Sequence, residues 1–275
     1  MIGNSARFNN LATHLCLIIA VICLIVPFLW MLSGAFKDTL EAVEIPPHFL
    51  PSKYNFDNFK EIAKYFPIYK FLWNSVFVSV TTTVLQVLVC AMSAFVFAKI
   101  RFRGNNALFL IYLITMMIPF QVTMTPLFVI FQKLHLLDSY WGLILPGIFS
   151  AYGTFLMRQH MLTIPNALLE SAFIDGASYF SVFRRIMLPL SKPALATLSI
   201  FSFMGVWNNF LWPLIIINSK DLMTLPLGLS MLKGRFSTVW NLLMAGNVIS
   251  FIPIFIVFLF AQRYFIRGIT MSGIK

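Results

Sequence analysis

Acidic residues are scarce in this sequence. Its 275 residues include nine Asp and Glu against twenty Lys and Arg, and only 11% are charged. Soluble domains carry about 25% charged residues, so the polar surface needed to coat a water-soluble globule is missing. All nine carboxylates (Asp38, Glu41, Glu44, Asp57, Glu61, Asp138, Glu170, Asp175 and Asp221) lie outside the long apolar stretches. Proton-driven carriers commonly place an ionisable side chain at membrane depth, and that signature is absent. His14, His48, His135 and His160 pair with no carboxylate at catalytic or metal spacing. Three cysteines, Cys16, Cys23 and Cys90, show neither redox nor zinc spacing and read as packing residues. No metal site is expected. A Gly-x-x-x-x-Gly-Lys-[Ser/Thr] phosphate loop is also missing, so the chain does not bind ATP by that route.

What is abundant is apolar sequence, 59% of the chain, and it is segmented. Six stretches lack Asp, Glu, Lys and Arg: residues 15–36, 71–98, 104–132, 139–157, 193–219 and 236–262. Each supplies the roughly 20 apolar residues of a spanning helix. The expected fold is all-α: one polytopic membrane domain over 1–275, with spans near 15–36, 73–98, 106–131, 139–157, 193–217 and 241–262. Gly142, Pro146, Gly147 and Gly153 interrupt the fourth, which membrane helices tolerate when neighbours re-satisfy the backbone. The first stretch exceeds a signal-peptide core and lacks a clean cleavage site, so it is expected to persist as a span. The net charge of +11 is spread beside the spans, which favours a lipid bilayer over nucleic acid as its partner. With the N-terminus inside, eight of the nine Arg fall on the cytoplasmic side, the sense of the positive-inside rule.

Residues 158–192 form the longest polar connection between later spans. They read as two short helices meeting at Gly176. Pro165 suits a first helical position, and Leu168, Leu169, Ala172 and Phe173 fall on one helical face. Gly176 suits a C-terminal stop, and Ser178 can cap the second helix. Arg184 and Arg185 are expected in that helix's last turns. Within this loop, Glu170-Ser171-Ala172, three residues, Gly176, nine residues and Ile186-Met187-Leu188-Pro189 resemble the EAA loop of bacterial ABC import permeases. That pattern reads E-A-A, three residues, G, nine residues, I-x-L-P; Ser171 is the one departure. The resemblance implies a cytoplasmic coupling helix that docks on an ATPase, with Glu170, Ser171, Ala172, Asp175, Gly176, Ile186, Leu188 and Pro189 as its residues.

Other segments resemble the carbohydrate-uptake class of these permeases, in particular the smaller permease of maltose-type importers. They are the tail from Arg263 to Thr270, the run Trp207-Asn208-Asn209-Phe210-Leu211-Trp212-Pro213-Leu214, the run Thr224-Leu225-Pro226-Leu227-Gly228-Leu229, and the pairs Asn58-Phe59 and Asn74-Ser75. In the tail, Phe265, Gly268 and Lys275 are implied to reach toward the ATPases, although the family's final Gly is absent. Trp207, Asn208, Asn209 and Trp212 are candidate residues of a sugar pathway, since aromatics stack on sugars and amides bond to them. The competing reading is that these amides bond across helices. The resemblance implies a multi-pass cell (inner) membrane protein with both termini cytoplasmic, and not an enzyme. Its implied partners are a second homologous permease, two ATPase subunits that bind the ATP, and an extracellular or periplasmic solute-binding protein. A sugar or sugar derivative is the implied cargo. Glycerol phosphate or a peptide is the alternative cargo, and an ATPase-independent carrier is the more distant rival.

Overall fold

In a computed structural model of the chain, the backbone is described for residues 2–233 and 238–271, and the side chains within 13–262 apart from 65, 234–237 and 261. The described residues are helical, with a single isolated bridge between Lys233 and Thr238. They divide into two units, residues 1–68 with 229–252 and residues 69–228 with 253–275.

The first unit contains α1 (Ile2–Gly34), α2 (Asn58–Tyr65) and the start of α14 (Trp240–Met271). Close approach explains the small residues where these helices meet. A Cβ on Gly34 would stand 2.0 Å from the Met244 sulfur, and one on Gly246 would stand 3.0 Å from Ile62 Cδ1. Asn58, opening α2, is 1% exposed. Its amide donates to the Ala35 and Lys37 carbonyls, and its oxygen accepts from Asn241. One buried side chain thus closes the end of α1 onto α2 and α14. Between residues 13 and 29 every α1 side chain is exposed, although the segment Thr13–Gly34 is the most apolar of the candidate spans.

The second unit is built on α3 (Ile68–Lys99), an unbroken helix of 32 residues. After it come α4 (Asn105–Ile114), α5 (Phe120–Lys133), α6 (Tyr140–Ile144) and α7 (Ala151–Leu162). Next are α8 (Ala167–Ile174), α9 (Tyr179–Val182), α10 (Leu188–Leu190), α11 (Lys192–Trp207), α12 (Leu211–Ile216) and α13 (Leu225–Ser230).

Three helices are long and apolar enough to cross a bilayer unaided, and up to six spans result if each bent pair counts as one. The third expected span bends by 97° between α4, with its 3-10 extension to Met117, and α5. The cause is Ile118-Pro119: a residue before proline is driven out of the α region, and Ile118 sits at ψ 114°. The fourth bends by 44° at residues 148–150, among the glycines and proline already noted. In place of a helix over 193–217, α11 stops at Trp207 and α12 resumes at Leu211. A further bend of 79° at Ser191 joins α11 to the preceding helix. The last helix runs to Met271, beyond the expected 262.

Candidate functional site

The 158–192 loop is clamped from beneath. Leu169, Val182, Phe183 and Met187 are all at most 6% exposed and pack with Ala94, Phe95 and Met161 in one core cluster. Fully burying side chains of this size stabilises by about 1.5–3 kcal/mol each, so the loop is held as a rigid body. Gly176 ends α8 with φ +80°, a left-handed conformation. Its N–H bonds the Phe173 carbonyl at 3.0 Å, and the Ala177 N–H bonds the Ala172 carbonyl at 2.9 Å. This paired arrangement is the Schellman motif, and Ala172 and Ala177 both rest on the same core, completing its apolar contact. Ser178 then caps α9, its hydroxyl accepting from the Ser181 N–H at 3.3 Å.

Some expectations for this loop need correcting. Pro165 lies two residues before α8 instead of opening it. Leu168 and Phe173 turn outward, 44% and 37% exposed, because the inward face is the narrower Leu169–Ala172 stripe. Arg184 and Arg185 sit mid-helix, in a π turn (Phe183–Met187), and the helix continues to Leu190. The ring of Pro189 would clash with the Arg185 carbonyl in a regular α-turn; the wider turn accommodates it.

Glu170, Ser171, Asp175, Gly176 and Pro189 are exposed, and Ala172, Ile186 and Leu188 are half-buried against the core. Between them the loop presents apolar side chains to its surroundings, most of all Ile174 at 87% and Phe180 at 67% exposure. A rigid, capped helix with an apolar tip is suited to docking on another protein.

One residue that sequence reasoning did not single out holds this helix in place. The ammonium of Lys99, at the end of α3, donates to the Ile164 carbonyl at 2.6 Å and to the Asn166 side-chain oxygen at 2.8 Å, just ahead of α8. Lys99→Met should therefore loosen α8 without unfolding the chain. The expected result is faster amide exchange over 164–170 while the core amides of α3 remain protected. Unchanged exchange would show that the apolar clamp alone suffices.

The family model for the binding-protein-dependent transport system inner membrane component matches residues 86–271. The chain belongs to this family. The permease is 39% identical over 280 residues to the arabinooligosaccharides transport system permease protein AraQ of Bacillus subtilis, covering all of both chains. To the sn-glycerol-3-phosphate transport system permease protein UgpE of Salmonella typhimurium it is 36% identical over 274 residues, covering 97% of this chain and 98% of the other. Its fold matches a chain in the crystal structure of a bacterial ABC transporter involved in the import of the acidic polysaccharide alginate. That match has TM-score 0.85, 24% identity and coverage of 95% and 98%.

The four candidate pathway residues of the permease separate into two pairs. Trp207 and Trp212 are each 1% exposed, inside the chain's own packing. Trp207 stacks on Phe203, and Trp212 donates its indole N–H to the Gly142 carbonyl at 2.9 Å. Asn208 is exposed and Asn209 half-buried. Their amides serve the helix break: Asn208 donates back to the Met204 carbonyl, and Asn209 accepts from the Trp212 N–H. In the tail, Phe265 and Gly268 belong to the backbone of α14, but the Phe265 side chain lies outside the described residues, as does all of Lys275.

The family-like runs Asn74-Ser75 and Thr224–Leu229 prove to be partners. Asn74, fully buried, donates to the Asp221 and Met223 carbonyls at 2.9 Å each and accepts from the Tyr140 hydroxyl. Ser75 accepts from the Leu225 N–H. Nearby, Asp138 adopts φ +51°, and its carboxylate accepts from the Ser219 N–H, the Asn218 N–H and the Ser219 hydroxyl.

These donors, led by the Ser219 N–H, hold the Asp138 carboxyl below its ordinary pKa. A depressed carboxyl contributes stability that is complete above its unfolded pKa of about 3.9 and is lost as pH falls through the lower folded value. Protection of the 216–219 amides should accordingly weaken below about pH 4. Asp138→Asn should show weak protection with no such pH step. An identical acid transition in both proteins would assign it to another group.

Proposed function

We propose that the permease carries a sugar or sugar derivative across the cell membrane as one half of an ABC importer's translocation unit. A second homologous permease would complete the path. A solute-binding protein on the outer side would deliver the cargo. Two cytoplasmic ATPase subunits would bind the ATP, so the chain itself needs no cofactor and catalyses no reaction. The observation that carries this reading is the 158–192 loop: its capped helices are locked to the core while Ile174 and Phe180 face outward. All nine carboxylates stay outside the candidate spans, which weighs against an ion-driven carrier. The sugar assignment is supported by the AraQ relative and by the carbohydrate-class motifs; the UgpE relative keeps glycerol phosphate as the second reading.

Docking on cytoplasmic ATPases requires both termini and the 158–192 loop to be inside. Cysteines at two exposed positions, Ser171→Cys and Lys53→Cys, test this. In intact cells an impermeant thiol reagent should label the cysteine at 53 and spare the one at 171 until the membrane is opened. The reverse pattern would place the loop outside and end the ATPase-coupling reading.

A further inference from the structure

Where the chain turns from the 158–192 loop into α11, a groove of about 310 Å³ opens on the surface. Ligand pockets begin at about this size, roughly 300 Å³. The bend creates it. The helix ending at Leu190 meets α11 at 79°, and α3 forms the third wall of the corner.

Its lining is of two kinds. Val87, Leu88 and Ala91 of α3 and Leu195 of α11 make an apolar side. These residues belong to apolar stretches of spanning length. An exposed side chain there, such as Leu88 at 45%, meets acyl chains or another subunit, not water. The other side is cationic: Arg184, in the π turn, and Lys192, the first residue of α11.

Nothing in the chain accounts for these two cations. Both are exposed, and neither side chain makes a hydrogen bond or ion pair among the described residues. No carboxylate lines the groove. Lys192 opens a helix, the end at which the dipole favours an anion. Charged groups beside a span are costly unless paired, so the cations call for an anion and the apolar side for a hydrocarbon chain. An anionic phospholipid supplies both in one molecule. A helix of a second permease would cover the apolar side, but carboxylates are rare within spans, so the charge favours the lipid.

We propose that this groove holds one anionic phospholipid. Its phosphate sits between Arg184 and Lys192, and an acyl chain lies along Val87, Leu88, Ala91 and Leu195. Basic pockets between spanning helices suit such headgroups. The bound lipid braces the bend between the loop and α11. The inference requires a membrane permease and is independent of its cargo.

In the test, a photoreactive benzophenone side chain replaces Leu88 in the complete importer, purified in detergent and titrated with phosphatidylglycerol. Light should fix one phosphatidylglycerol to this chain, identified by the mass of the labelled peptide. Arg184→Gln with Lys192→Gln should raise the half-saturating concentration roughly thirtyfold, the worth of two cations at an anionic surface. Arg101→Gln with Arg103→Gln removes the same charge at two other exposed positions and should leave it unchanged. Arg184→Lys, which keeps the charge, should label as the parent does. Equal loss in the Arg101 and Arg103 control would reduce the effect to diffuse attraction and overturn the proposal. So would equal labelling by phosphatidylcholine, which has the chains without the net charge. Capture of the second permease in place of lipid would give the groove to that subunit. Inorganic phosphate should not displace the label; displacement would make this a site for a free anion and end the lipid assignment. The last three results need only the parent protein, so they decide the matter even where a variant fails to assemble.

Discussion

Gly176→Asp should leave the permease inserted in the membrane yet strip it of its ATPases. Two costs combine at this position. The backbone stands at φ +80°, where a residue other than glycine loses about 1–2 kcal/mol. Space is not the obstacle, since a Cβ built there meets nothing within 4 Å of its own chain. The larger cost comes from docking, where an unpaired carboxylate buried in an interface costs a few kcal/mol. At 1.4 kcal/mol per tenfold, that weakens attachment by several tens-fold or more. Gly176→Asn separates the two, because asparagine accepts the left-handed conformation and brings no charge. Uptake and ATPase retained on purified membranes should therefore be near normal for Asn and nearly lost for Asp. Normal transport and retention by Gly176→Asp would mean that this loop is not the coupling element.

The second large effect belongs to Asn74→Asp, an isosteric change in the fully buried clamp on residues 221–225. Both donated hydrogen bonds vanish, and an oxygen faces the Asp221 and Met223 carbonyls where an N–H group stood at 2.9 Å. Each lost bond is worth about 0.5–1.5 kcal/mol, and leaving buried acceptors unmet adds about 1–3 kcal/mol. Thermal unfolding in detergent should show a destabilisation of a few kcal/mol, with amide protection lost first at 221–225. Tyr140→Phe removes only the bond to Asn74 Oδ1 and should cost about 1 kcal/mol. If the two variants were equally mild, the clamp would be incidental to the fold.

How much the sequence reveals differs by element for physical reasons. The 158–192 loop is legible because its signals are local: a glycine stop, a serine cap and a gapped motif at fixed intervals. Apolar length marked out the candidate spans, three of them unbroken and up to six if each bent pair counts as one, but straightness was not legible. A hydropathy window averages across a break, so the 97° bend at Ile118-Pro119 passes unseen unless the X-Pro signal is weighed on its own. Trp207 and Trp212 drew attention for the right residue type, yet composition does not say which face of a helix looks inward. Lys99 at a span end looks like any topology charge; only the fold brings it to Ile164 and Asn166. The row Ser79, Thr82, Thr83 and Gln86 was not singled out in the sequence, and only the structure shows its oxygens buried without hydrogen-bond partners among the described residues.

The helix α3 carries a mechanical consequence. Near one end Asn74 and Ser75 hold the 221–225 segment, and at the other Lys99 holds the start of α8. The 25 residue steps from Asn74 to Lys99 span about 37 Å at a rise of about 1.5 Å per residue. Prolines interrupt α1, α5 and α14, at Pro27, Pro126 and Pro253. From Ile68 to Lys99, by contrast, there is neither proline nor glycine, the residues at which helices kink. Such a rod neither shortens nor folds under load. A shift imposed on the loop at one end arrives at the segment on the other as the same shift, like the pull of a tie-rod, and the two ends keep time without any signal passing through the residues between them.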